Sequence, residues 1–227
     1  MNKLIIFDLD NTFYSYEPTH EKALDSVYKS QTIFKSYDLF IENYNIAKEK
    51  IHHRLFSNPS RHSKLLYFKE MFNEILPHNE LLILENLYWD TFITIADIKI
   101  EGVKSLKNLK NINDKYILCT NQNTNVQLKK IHSWNLDMFD RVITSEEVGY
   151  EKPAIEFFNY VENFFEDIEI NEYKIYAIGD SYENDIQYWQ EGYNASSYLI
   201  ENDLEEFISN NKLFNTNFDK AIKHLFS

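Results

Sequence analysis

The sequence predicts an α/β fold, a parallel sheet whose first strand lies near residue 4 and which is interrupted at once by an all-helical insertion. Three observations carry the prediction. An apolar run, Leu4-Ile5-Ile6-Phe7, ends abruptly in Asp8-Leu9-Asp10-Asn11-Thr12-Phe13, the pattern of a buried parallel strand that delivers its last residues into a cleft. From about Pro18 to Ala96 apolar residues recur at helical spacing. From Glu101 onward short apolar runs alternate with helical stretches, which makes a parallel sheet with right-handed crossovers.

Taken in order, the insertion reads as helices over Glu21 to Lys35, Tyr37 to Phe56, Ser63 to Leu76 and Asn79 to Thr94. In the second, Phe40, Tyr44, Ala47 and Ile51 share one face. Turn residues cluster at Ser57-Asn58-Pro59-Ser60 and Pro77-His78-Asn79, which separate the helices. Beyond the insertion the pattern predicts helix Val103 to Leu109, strand Tyr116 to Cys119, helix Val126 to Trp134 and a short strand at Val142-Ile143. Helix Pro153 to Phe165, strand Ile175 to Ile178, helix Asn184 to Gln190 and strand Tyr198 to Ile200 follow, then closing helices near Leu204 and over Phe218 to Phe226. The N-terminal strand must join the later ones, so the helical stretch is inserted into one α/β domain: residues 1–14 and 97–227, with 15–96 between.

Composition narrows the function classes. The 227 residues are enough for one sizeable domain with an insertion, and a chain that is 44% hydrophobic and 16% aromatic can fill its core. A net charge of −13 has the wrong sign for tracking a phosphate backbone, so neither a nucleic acid polymer nor an anionic membrane is an expected partner. Cys119 is the single cysteine, lies in an apolar run and reads as a small core residue. Leu4 to Phe7 is too short for a signal h-region and no apolar stretch approaches bilayer length, so a soluble, cytoplasmic protein is expected.

In such sheets ligands bind outside the carboxyl ends of the strands, and polar residues stand at those ends. Asp8 and Asp10 follow the first strand one residue apart, an expensive pair unless a positive group joins them. Thr120-Asn121 end the second core strand and Gly179-Asp180-Ser181 a later one, with Asp185 five residues after Asp180. Gly179 would allow the unusual turn that folds Asp185 back beside Asp180. Lys152 precedes Pro153, expected as the first residue of a helix, so its ammonium can reach over the strand ends.

The order D-x-D-x-T, a hydroxyl after the next core strand, Lys before Pro, and G-D-x-x-x-x-D resembles the haloacid dehalogenase superfamily over essentially the whole chain. Tyr14 beside the first motif, and the approach Val142 to Pro153, are similar to that family as well. The resemblance implies a Rossmann-like core with a helical cap of the type inserted between the first two motifs, as in small-molecule phosphatases, nucleotidases, haloacid dehalogenases and β-phosphoglucomutases. It also implies Asp8 as nucleophile through an aspartyl-phosphate, Asp10 as general acid and base, and Thr120, Asn121 and Lys152 on the phosphate. Mg²⁺ would be held by Asp8, Asp180 and the Asp10 main-chain carbonyl, with Asp185 orienting a water or Lys152. The dehalogenase branch lacks the second aspartate of the first motif, so Asp10 favours a small phosphomonoester, a nucleoside monophosphate or sugar phosphate. A phosphomutase, or a non-catalytic binding protein on the same fold, is the alternative. Candidates for contacting the leaving group are Tyr14, Tyr16, His52, His53, Arg54, Arg61 and His62, where aromatic rings could stack on a base and basic groups could bind a second phosphate or a carboxylate.

Overall fold

The computed structural model describes residues 1–56, 58–73, 75–204 and 206–227, with Asp167 described by its backbone alone. In chain order, β1 (Asn2–Phe7) leads into α1 (Tyr16–Ser30), α2 (Tyr37–Arg54), a 3-10 turn (Pro59–His62), α3 (Lys64–Phe72) and α4 (His78–Ile95). Next come α5 (Ile100–Leu109), β2 (Lys115–Thr120), α6 (Thr124–Ser133), β3 (Arg141–Thr144), α7 (Ser145–Val148) and α8 (Ile155–Asn163). The chain continues with β4 (Tyr173–Gly179), a π-helical turn (Tyr182–Ile186), α9 (Gln187–Tyr193), β5 (Ser196–Ile200), β6 (Ile208–Asn210), β7 (Leu213–Thr216) and α10 (Phe218–Leu225).

Among the described residues the strands form one seven-stranded sheet in the order β3-β2-β1-β4-β5-β7-β6. Every pairing is parallel except that of β6 with β7. The strand order runs outward from β1 in both directions, so the crevice beside β1 and β4 is the switch point at which such sheets bind ligands. β1 shows why its sequence is continuously apolar. Leu4 and Ile6 pack on one face with Ile117, Cys119, Phe158 of α8 and Trp189 of α9; Ile5 and Phe7 pack on the other with Tyr116, Leu118 and Phe218 of α10.

The helices between β1 and α5 pack α1 on α4, and α2 and α4 on α3. Phe40, Tyr44, Ala47 and Ile51 are all buried, so the face read from the sequence is the one that packs. Their cluster runs without a break into the sheet's packing on that side through Phe13, Tyr14 and Phe92. The rings of Tyr14 and Phe92 meet edge to face at 5.7 Å and those of Tyr14 and Trp134 at 4.9 Å.

Four local expectations are corrected. Among the described residues no helix forms near Leu204: Leu204 N–H closes a turn on Glu201 C=O, and the chain returns as the β6–β7 hairpin that extends the sheet beyond β5. α1 begins at Tyr16 and ends at Ser30, because Gln31 turns back with its side-chain carbonyl accepting from Ile33 and Phe34 N–H. α3 stops at Phe72, where Asn73 takes a left-handed conformation with φ 38°. α8 starts at Ile155, so Pro153 lies in the preceding turn and is not its first residue. Ser57 of the first predicted break lies outside the described residues.

Gly102 in α5 lies against α10, where an added Cβ would stand 2.7 Å from the Phe218 ring and 2.8 Å from Asp219 Oδ1. Gly102→Ala gains about 1 kcal/mol of helix propensity but forces the ring away at a cost of about 1–3 kcal/mol. The expected net result is a lower unfolding midpoint in a thermal melt; a midpoint raised by the substitution would show that α10 yields freely.

Candidate active site

The turn after β1 is closed by Thr12 and Phe13 N–H donating to Leu9 C=O, with Asn11 left-handed at φ 62°, a conformation that Asn tolerates better than most residues. Asp8 N–H continues the ladder onto Ile178 C=O at 2.9 Å, so β4 holds the carboxylate in place. Asn11 Nδ2 donates to Asp180 Oδ2 at 3.0 Å and ties this turn to the end of β4. Asp8, Asp180 and Asp185 can each offer a carboxylate oxygen so that the three lie within 4.8 Å of one another.

Lys152 is buried among them. Its ammonium donates to Asp8 Oδ1 at 2.9 Å, to Asp185 Oδ1 at 2.6 Å and to Cys119 C=O at 2.7 Å, which uses all three of its protons. Burial opposes its charge, but Asp185 and Asp8 overcome that and hold its pKa above the ordinary lysine value. Asn121 clamps the main chain beneath it, accepting from Lys152 N–H at 2.8 Å and donating to Lys152 C=O at 2.9 Å. The Asn121 side chain therefore positions the lysine. Asp185 receives a second bond from Ser181 N–H on Oδ2 at 2.9 Å. Gly179 serves this approach by lacking a Cβ, which would stand 2.4 Å from Asp185 Cβ; its φ is not in the left-handed region expected for an unusual turn.

Electrostatics divides the aspartates. Burial raises the Asp8 pKa well above the usual carboxylate value; Lys152 lowers it in part, and Asp185, Asp180 and Asp10 push it up. Asp180 is raised by burial as well, against the pull of Asn11. Asp10 goes the other way. Burial raises it, but Lys130, Tyr14 and Gln127 outweigh burial and leave it below the ordinary value.

Those three partners were not singled out from the sequence, apart from Tyr14. Lys130 on α6 is fully buried and reaches Asp10 Oδ1 at 2.5 Å, while Tyr14 OH donates to the same oxygen. Gln127 Nε2 donates to Asp10 Oδ2 at 2.9 Å and to Thr120 Oγ1 at 2.6 Å. The ammonium of Lys130 also lies 5.5 Å from the Trp89 ring and 5.2 Å from the Phe92 ring of α4. The sequence does carry a signal: Val126 and Lys130 are four apart and Gln127 and Lys130 three apart, so a lysine falls on the apolar face of a helix.

The remaining candidates separate by place. Asp8, Asp10, Thr120, Asn121, Lys152, Asp180 and Asp185 line one cleft of about 400 Å³, with Tyr16, His52 and His62. Tyr14 lies beneath Asp10, fully buried. His53 and Arg54 face solvent at the end of α2, where Arg54 pairs with Glu70, so neither lines the cleft. Arg61 is committed to Glu151 across the seam between the helical insertion and the loop before Lys152, and His62 Nε2 lies 3.0 Å from the same carboxylate. Cys119 is core as expected, its thiol pushed up to about 12 by burial first. No helix among the described residues is long and apolar enough to cross a membrane.

Comparison with known proteins agrees with this geometry. The model of the haloacid dehalogenase-like hydrolase family matches residues 2–188, and the chain belongs to that family of enzymes. A curated relative, the ribulose-1,5-bisphosphate 5-phosphatase of Halopiger xanaduensis, is 29% identical over 161 residues, 68% of this chain and 67% of that protein. Among solved structures, the magnesium-bound HAD-hydrolase YfnB of Bacillus subtilis superposes with a TM-score of 0.65 at 20% identity, over 99% of this chain and 98% of that one. A HAD phosphatase from Thermococcus onnurineus has a TM-score of 0.62 at 23% identity, over 98% and 97%. These two structures share the fold.

The Asp10–Lys130 pair makes a prediction about stability. With its carboxyl held below the ordinary value, Asp10 contributes stability above about pH 4 that is lost as pH falls through the lower folded value. In Lys130→Met the half-buried Asp10 carboxylate loses its ammonium, its pKa rises, and stability instead falls as pH rises toward neutrality. The expected loss at neutral pH is about 3–5 kcal/mol, read from thermal unfolding across pH. A variant as stable as the wild type at neutral pH would remove Lys130 from this role.

Proposed function

We propose that this hydrolase is a Mg²⁺-dependent phosphatase that cleaves a small phosphomonoester, of the sugar phosphate or nucleoside monophosphate class, through an aspartyl-phosphate on Asp8. The observation that carries the reading is Lys152, which ties Asp8 to Asp185 with Asp180 alongside. The likeness to a curated phosphatase supports the same reaction. In this reading residues 15–96 are a cap domain over a core of residues 1–14 and 97–227.

The donors suit Mg²⁺. They are all oxygens, the preference of a hard cation, and burial first, then neighbouring carboxylates, raises Asp8 and Asp180, a shift that a divalent ion beside them would oppose. Asp8, Asp180 and the Asp10 main-chain carbonyl would hold it, and Asp185, spent on Lys152 and Ser181 N–H, would act by fixing the lysine. When bound, the ion supplies neutralising charge to the transferring phosphoryl oxygens.

The chain's own residues do the rest. Lys152 holds Asp8 Oδ1, which leaves Oδ2, with only the Thr12 hydroxyl at 3.4 Å, to attack phosphorus in line. As the bond to the ester oxygen breaks, that oxygen takes a proton from the Asp10 carboxyl; an incoming phosphate dianion raises the Asp10 pKa and favours the protonated form. Water then attacks the same phosphorus, gives its proton back to Asp10, and phosphate leaves with Asp8 restored. Thr120 Oγ1 accepts from Gln127, so its own proton is free for a phosphoryl oxygen.

Phosphate release from p-nitrophenyl phosphate and a panel of sugar and nucleoside monophosphates should require Mg²⁺ and stop with chelator. Asp8→Asn should abolish it, and Asp180→Asn should reduce it at least about a hundredfold, the scale lost with a group that stabilises transition-state charge. Full turnover by Asp8→Asn would refute the covalent route.

A further inference from the structure

Lys64 opens α3 inside the cleft, and it is buried to 5% exposure although it carries an ammonium. Nζ donates to Tyr16 OH at 3.2 Å and lies 5.0 Å from the Tyr67 ring and 5.7 Å from the Tyr88 ring. Among the described residues it takes part in no ion pair. Burial first, then Lys48 and Lys130, pull its pKa down to about 7 against the weaker opposing fields of Asp10 and Glu17.

The carboxylates that might have neutralised it are committed elsewhere. Asp10 holds Lys130, Glu151 holds Arg61 and His62, and Glu70 holds Lys50 and Arg54. Glu17, from α1, lines the cleft but is exposed to solvent, where its field is screened. Lys48 lines the same cleft from α2, is exposed at its edge, and is likewise in no ion pair among the described residues. His52 beside them adds no charge at neutral pH: burial and its cationic neighbours bring its pKa down to about 4, and its Nε2 is taken by Tyr67 OH at 2.7 Å.

A desolvated ammonium without a carboxylate is costly to keep and is retained where an anion completes it. The residues after β1, β2 and β4 already match a phosphate end with Lys152 and an acidic cluster. The wall from α2 and α3 is positive, and among the described residues neither Lys64 nor Lys48 is held in an ion pair with a carboxylate. We propose that Lys64, assisted by Lys48, forms a second anion subsite, so that the preferred substrate is a phosphomonoester whose leaving group carries a further phosphate or carboxylate. The location of the scissile phosphate rests on the phosphatase reading; the second subsite rests on Lys64 and its surroundings.

The test compares fructose bisphosphate with fructose monophosphate, and phosphoglycerate with glycerol phosphate, in kcat and KM for wild type, Lys64→Met and Lys48→Ser. In at least one pair the substrate with the second anion should be preferred by about tenfold or more in kcat/KM, chiefly through KM, a difference of about 1.4 kcal/mol. Lys64→Met should abolish that preference and Lys48→Ser should weaken it. Preference in the sugar pair alone assigns a phosphate, in the glycerate pair alone a carboxylate. No preference in either pair, or a preference that survives Lys64→Met, overturns the proposal.

Calorimetric titration of the same four compounds into Asp8→Asn, with and without Lys64→Met, reads the subsite without turnover. If p-nitrophenyl phosphate is not hydrolysed the phosphatase reading fails, and the titration still decides the subsite. Lys64→Met should also melt higher than the wild type, because it removes a buried unpaired charge. A lower midpoint would make the ammonium structural and overturn the assignment.

Discussion

Lys152's ammonium, shared between Asp8, Asp185 and the Cys119 carbonyl, is the contact on which the site depends. Its three bonds join the ends of β1 and β2 and the π-helical turn after β4, elements far apart in sequence. Without that charge Asp8 and Asp185 would repel across a buried crevice; with it, each carboxylate has one defined orientation. Much nearby detail serves this contact. Asn121 fixes the Lys152 peptide by two bonds, and Gly179 leaves the room that the Asp185 side chain occupies.

Asp10 has its own cation, and that pair reaches further. Lys130 comes from α6, yet its ammonium lies against Trp89 and Phe92 of α4, while Tyr14 donates to Asp10 and packs on Phe92. The proton-handling carboxylate of the proposed mechanism is thus in contact with the packing of the helical insertion. The two halves of the first motif are held at different levels of acidity: Asp8 up, through burial first and against the pull of Lys152, and Asp10 down, through Lys130 against burial. Opposite shifts in neighbouring groups are how one site keeps a nucleophile and an acid–base group distinct. In charge terms Asp8, Asp10, Asp180 and Asp185 meet two buried ammoniums, leaving a deficit the size of one divalent ion.

The basic residues of the insertion show how differently one residue type can be used. Arg54 lies at the surface with Glu70, and Arg61 bridges to Glu151 next to Lys152 in the chain. Lys64, which no motif marks, is a second buried cation of the cleft beside Lys152. Counting basic residues on the predicted helices draws attention to His53 and Arg54, because they cluster. A lysine at the first position of a helix among Leu65, Leu66, Tyr67 and Phe68 reads as solvated until the aromatic rings that cover it are in place.

The sequence alone determined that the sheet is parallel, that helices are inserted after β1, and that Asp8, Asp10, Thr120, Lys152, Asp180 and Asp185 belong together. Those features are local: an apolar run meeting a polar turn, a period of 3.6, and motif residues at strand ends that topology must align. Tertiary structure decided which carboxylate each cation meets, because a side chain's partner depends on packing between distant elements. It assigned Lys130 to Asp10, turned Arg61 toward Glu151 and, among the described residues, left Lys64 in no ion pair. It also replaced the helix expected near Leu204 by the β6–β7 hairpin, since pairing along the open edge of β5 satisfies backbone groups that local propensity cannot see.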